Sequence, residues 1–169
     1  FPHLTVKPVR GNVGTRLKKL DAGEYDALIM ASAGLKRLGL EERIREIISD
    51  EISLPSPGQG ALGIECLADD KETIEAVSFI NDEKTRACCL AERAVSRALD
   101  GSCQVPLAAY ATIDGETMRL RALIGDHTTG ELASAERLGS WHDSQKLAAQ
   151  VVEDLLKQAR LYITKEEDL

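Results

Sequence analysis

Residues 105–124 carry the pattern that limits the fold most. Val105, Leu107, Ala109, Ala111 and Ile113 alternate with polar or small residues, Asp114-Gly115 interrupts, and Met118, Leu120, Ala122 and Ile124 take up the alternation again. A period of two puts each set on one side of a strand, and Asp-Gly suits a tight loop, so the stretch predicts a β-hairpin with one apolar face. That face needs a cover. A weaker strand over residues 131–138 is expected to complete a small antiparallel sheet, with a last helix bringing Leu147, Val151, Leu155 and Leu156 onto it. Upstream, Ala87, Leu90, Ala91, Ala94, Val95, Ala98 and Leu99 recur at helical spacing, and Asp100-Gly101 supplies the stop.

The first half of the chain follows a different rhythm. Residues 4–9 alternate like a strand, which Pro8 pushes toward a sheet edge; its partner is expected to lie upstream. Val13, Leu17 and Leu20 then predict a helix that stops at Ala22-Gly23. The apolar run over residues 25–31 predicts a strand covered on both faces and parallel to the first. Leu40, Ile44, Ile47 and Ile48 predict a second helix, before Leu54-Pro55-Ser56-Pro57-Gly58-Gln59-Gly60 imposes a loop or hinge and a module boundary. Residues 61–66 then read as a short strand and residues 71–80 as a helix with Ile74 and Val77 inward.

Composition removes several classes of function. With 21 basic and 28 acidic residues the net charge is −7, which argues against broad attraction to nucleic acid or to an anionic membrane. An anionic ligand must therefore be held by local charge. No apolar run approaches the length of a membrane span, and Phe1-Pro2-His3-Leu4-Thr5-Val6-Lys7 lacks an export pattern, so a cytoplasmic protein is expected. Cys66, Cys88, Cys89 and Cys103 lack the spacing of a disulfide scaffold and are expected as thiols. His3, His127 and His142 are isolated and no C-x-x-C occurs, so no metal site is expected.

Four segments could carry chemistry. Arg10-Gly11-Asn12-Val13-Gly14-Thr15-Arg16 joins a strand end to a helix start, where unpaired N–H groups and the helix dipole favour an anion that two arginines could grip. The plainer reading is an Asn12-capped helix with two surface arginines. Gly34-Leu35-Lys36-Arg37-Leu38-Gly39 follows the expected buried strand at the end where open α/β sheets place ligands, or it is a basic helix end facing water. In Pro57-Gly58-Gln59-Gly60 the glycines let backbone approach a ligand closely, or the segment is only a hinge. Cys103 follows a helix C-terminus, where the dipole disfavours a thiolate, so nothing local activates it and it reads as a loop thiol. Cys88 and Cys89 read as packing or surface thiols.

Taken together in order and spacing, these segments, with Gly101-Ser102-Cys103-Gln104-Val105-Pro106, resemble the hydroxymethylbilane synthase (porphobilinogen deaminase) family, over its C-terminal half. The resemblance implies an α/β fold: part of a periplasmic-binding-protein-like domain pair, then a small α+β domain with a three-stranded antiparallel sheet and covering helices. It assigns residues 1–54 to the second half of domain two, residues 55–80 to the hinge and return through domain one, and residues 81–169 to a cofactor-anchoring domain. It implies that Cys103 holds a dipyrromethane cofactor through a thioether, with Arg10, Arg16 and Gln59 near that cofactor. Arg10, Arg16 and Arg37 would bind the carboxylates of substrate.

The implied activity is a transferase of porphyrin and heme biosynthesis. It condenses four porphobilinogens, with loss of ammonia, into linear hydroxymethylbilane on the tethered primer. The partners implied are porphobilinogen, the growing polypyrrole, and either the N-terminal half or a second chain to complete the sheet. The family's catalytic aspartate lies in that N-terminal half, so no catalytic residue is assigned here and the chain alone is expected to be inactive. Two other readings stay open: a non-catalytic module that binds polyanions or carboxylates, with Cys103 incidental, and a thiol redox protein in which Cys103 pairs with another cysteine.

Overall fold

The computed structural model describes residues 3–99, 106–126 and 129–166, with side chains as far as Gln158. The chain divides into two compact units, residues 1–47 and 48–169, several residues before the proline-containing turn.

In the first unit, helix α1 (Val13–Asp21) begins where the pattern placed it. Asn12 caps it, its Oδ1 accepting from the Thr15 amide at 2.9 Å and from the Thr15 hydroxyl at 3.0 Å. Helix α2 (Ser32–Arg37) is short, and a 3-10 turn spans Glu41–Arg43. Leu17 and Leu35 are the buried apolar side chains of this unit. The Arg43 guanidinium holds Asp21 at 2.5 Å, tying the 3-10 turn to the end of α1.

Three expectations fail here. The helix through Leu40, Ile44, Ile47 and Ile48 does not form; Gly39 sits at φ 67°, and only the Glu41–Arg43 turn follows. Leu40 and Ile44 are half-buried, but Ile47 and Ile48 are 62% and 37% exposed, so the stripe is not buried along its length. Residues 4–9 and 25–31 form no strands, nor do residues 61–66 in the second unit. A strand needs a neighbour for its N–H and C=O groups, and the only sheet among the described residues is the three-stranded one below. Val6 (92% exposed), Ile29 (77%) and Leu62 (83%) are correspondingly open to water. The first two segments are tied by the Tyr25 hydroxyl, which donates to the Pro8 carbonyl at 3.1 Å.

The second unit holds the main core. Helices α3 (Lys71–Ser78) and α4 (Glu83–Ala98) precede strands β1 (Leu107–Asp114), β2 (Thr117–Gly125) and β3 (Leu132–Ser140), and helix α5 (Ser144–Glu166) closes the order. The strands pair antiparallel in the order β1-β2-β3. The hairpin forms as expected, with its loop one residue later than the sequence pattern set it: Asp114 pairs with Thr117, leaving Gly115-Glu116 as the turn and Gly115 at φ 58°. Val105 and the helix stop at Asp100-Gly101 lie outside the described residues.

Register puts Ala111 opposite Leu120, and Ala109 and Ala135 on either side of Ala122, so alternate residues present one continuous apolar face. Ala91 and Val95 of α4, with Leu147, Ala148, Val151 and Leu155 of α5, bury against it. Leu156 turns outward at 42% exposure, and Ile74 of α3 at 41%. Gly139 lets Leu147 of α5 pack close over β3, because a Cβ there would lie 2.9 Å from Leu147 Cδ2 and push that side chain aside. Each outer edge of the sheet is bonded at one point. At β3 the Gln158 amide bonds both the N–H and the C=O of Ser134, and at β1 the Ala111 N–H donates to Glu92 Oε1.

Candidate functional site

The first unit brings two of the expected segments together. A Cβ on Gly34, in the first turn of α2, would lie 3.8 Å from Val13 Cγ2, so α2 begins beside the start of α1. Gly11 takes φ 119° directly before the cap, and a side chain there would meet Thr15 at 2.9 Å. Arg16 folds back over this start: its Nε donates to the Gly11 carbonyl at 2.8 Å. That bond fixes the guanidinium and leaves both Nη groups to offer a fork to one carboxylate. Arg10 is exposed and makes no ion pair among the described residues. Arg37, also exposed, ends α2 at the opposite end from Gly34, with Lys36 beside it. The plainer reading of an Asn12-capped helix is thus correct, and it coexists with a positioned Arg16.

The second unit places Gln59 in a tight turn. The Gln59 amide donates to the Ser56 carbonyl at 3.0 Å, and the Ala61 amide to that of Gly58 at 3.2 Å. Gly58 and Gly60 take φ 73° and 83°, which suits glycine at both flanks, and Gln59 is exposed. Against this turn, α4 and β1 line a cleft of about 450 Å³ with Lys84, Cys88, Cys89, Glu92, Tyr110 and Thr112 on its walls.

Glu92 is the residue that sequence reading passed over. It is 5% exposed, and its carboxylate joins two distant backbones: Oε2 accepts from the Gly58 amide at 2.7 Å and Oε1 from the Ala111 amide at 2.8 Å. Burial raises its pKa, and the two backbone N–H groups act against that rise. The signal was present, since Glu92 lies four residues after Cys88 and three before Val95, inside the apolar stripe. Burial first, and the Glu92 charge second, push the Cys88 thiol up to about 11; Cys89 is raised for the same two reasons. Neither is a ready nucleophile, in keeping with their reading as packing thiols. Cys103 lies outside the described residues.

These features are those of an α/β protein of two units, with an oriented arginine at a helix start in one unit and a glutamine turn next to the Glu92 clasp in the other. Comparison with known proteins narrows it. Residues 1–75 match the family model "Porphobilinogen deaminase, dipyromethane cofactor binding domain", and residues 86–157 match "Porphobilinogen deaminase, C-terminal domain". Porphobilinogen deaminases of Bordetella parapertussis and Bordetella bronchiseptica are each 51% identical over 156 residues, which is 92% of this chain and 50% of theirs. The chain belongs to the porphobilinogen deaminase family. It spans about half the length of those curated relatives.

Proposed function

We propose that this chain is the carboxylate-binding and cofactor-anchoring portion of a hydroxymethylbilane synthase, which condenses four porphobilinogens, with loss of ammonia, into the linear tetrapyrrole. The observation that carries the reading is Arg16, oriented by the Gly11 carbonyl with its two Nη groups free at a helix start. Each pyrrole of substrate and cofactor bears two carboxylates, and a fixed guanidinium fork suits such groups. Arg10 adds charge from the same segment, and Arg37 serves substrate from α2. The donor set therefore fits dipyrromethane.

Bound through a thioether to Cys103, that group supplies the nucleophilic pyrrole end on which the chain grows. The residues here bind and orient: Arg10 and Arg16 hold carboxylates, and Gln59 lies by the cofactor with a neutral donor and acceptor. Tethering makes each coupling effectively intramolecular. In this reading residues 1–54 belong to a periplasmic-binding-protein-like domain, residues 55–80 return through its companion, and residues 81–169 anchor the cofactor. The exposed Val6 and Ile29 in the first of these domains, and Leu62 in its companion, support completion of both domains' sheets by the other half of the family's polypeptide. Free thiols at Cys66, Cys88 and Cys89 are in keeping with the cytoplasm.

The full-length protein incubated with porphobilinogen should release linear tetrapyrrole and ammonia steadily. Saturable carboxylate binding without any turnover would favour the binding-module reading instead.

A further inference from the structure

We propose that Glu92, Arg119 and Arg121 are positioning residues that fasten residues 50–58 as a strap onto the second unit, so that Gln59 is held in register with the sheet. Two independent sets of contacts carry this. On the sheet face away from α4 and α5, Arg121 lies 8% exposed beside the Tyr110 ring, its carbon 6.0 Å from the ring centre. Its Nη1 donates to Glu51 Oε1 at 2.8 Å and to the Asp50 carbonyl at 3.3 Å, while Nη2 pairs with the Asp50 carboxylate. Arg119, two residues away on the same face, bridges Glu51 at 3.1 Å and Glu136 of β3 at 2.8 Å.

The strap's other end is held at the β1 edge, where Glu92 takes the Gly58 amide at 2.7 Å and the Ala111 amide at 2.8 Å. Residues 50–58 are thus pinned at both ends to β1, β2 and α4. A proline-containing linker with one free end would swing. This one cannot carry Gln59 away from the sheet without breaking a buried carboxylate's bonds or stripping Arg121 of both its partners. The placement of Gln59 by the cofactor rests on the proposed function; the strap itself does not.

Hydrogen exchange on the full-length protein tests it with two variants. Glu92→Gln keeps the volume but sets an NH2 group against one of the two backbone donors, and the surface double variant Asp50→Asn/Glu51→Gln removes the strap's carboxylates from Arg119 and Arg121 while leaving Arg119 paired with Glu136. Exchange over residues 50–60 should quicken about tenfold or more in each, while residues 117–125 and 132–140 keep their protection. If porphobilinogen turnover is present, kcat should fall in both variants with KM little changed, because the arginines that bind carboxylates are untouched. Unchanged exchange over residues 50–60 in the double variant would overturn the strap, as would equal quickening across the whole unit in both variants. Absence of turnover in the unaltered protein would sink the proposed function and leave the exchange result standing.

Discussion

Leu120→Ala should lower the unfolding free energy of the second unit by about 2–5 kcal/mol, the range for large-to-small changes in a packed core. Leu120 is fully buried at the centre of the middle strand, opposite Ala111 and Arg137, and faces α4 and α5. The residue opposite it on β1 is small, and Ala109, Ala122 and Ala135 line the same face, so few neighbouring side chains can move in to fill the gap. A domain of this size has about 5–15 kcal/mol in all, so the variant should sit near the edge of stability. Urea unfolding followed by circular dichroism would read this as a large fall in midpoint. A shift of less than about 0.5 kcal/mol would contradict the packing described, because a loss that small belongs to surface positions.

Arg16→Ala should cut kcat/KM of the full-length enzyme by about 10- to 100-fold, the value of one charge-assisted hydrogen-bonded contact of about 1.5–3 kcal/mol. Arg16→Lys should recover only part of it. A lysine keeps the charge but has neither the fork nor the Nε that Gly11 orients. Adding Arg10→Ala should weaken the enzyme further, though the two changes lie six residues apart around one helix start and need not add. Steady-state kinetics with porphobilinogen would separate the variants. Wild-type kcat/KM in Arg16→Ala would remove Arg16 from the site.

Much of the second unit was legible in the sequence because its interactions are local in pattern. Alternation in 107–113 and 118–124 with a turn between them fixes a hairpin, and the stripe through Ala91 and Val95 fixes the helix that covers it. The one-residue offset of the turn arose because Asp114 can equally end a strand or open a loop. Residues 4–9, 25–31 and 61–66 carry strand-like patterns too, yet a strand exists only with a partner, and no composition rule says whether one is within reach. The missing helix at Leu40–Ile48 has the same origin: a stripe at the right spacing whose second half, Ile47 and Ile48, stays exposed, and Gly39 at a positive φ before it.

The site divides in the same way. Asn12 as cap and Arg16 at the helix start were readable because a cap and its neighbours are contiguous in the chain. Glu92 and Arg121 were not, since their partners stand 34 and 70 residues away. Glu92 nonetheless left a trace, a charge set inside an otherwise apolar helix stripe, whereas Arg121 stands at a polar place in the alternation of β2 and left none. Buried charges persist only where something pairs with them, so such positions mark long-range clasps. Cys103 shows the opposite case. It lies outside the described residues, its sequence neighbours alone give it no special reactivity, and the anchoring role proposed for it rests on the family to which the surrounding segments belong.

Cofactor anchoring at Cys103 has a direct test. Intact-mass measurement of the full-length protein should give the sequence mass plus one dipyrromethane, and the Cys103→Ser protein should give the sequence mass alone and no turnover. An adduct retained in the Cys103→Ser protein would contradict anchoring of the cofactor at Cys103.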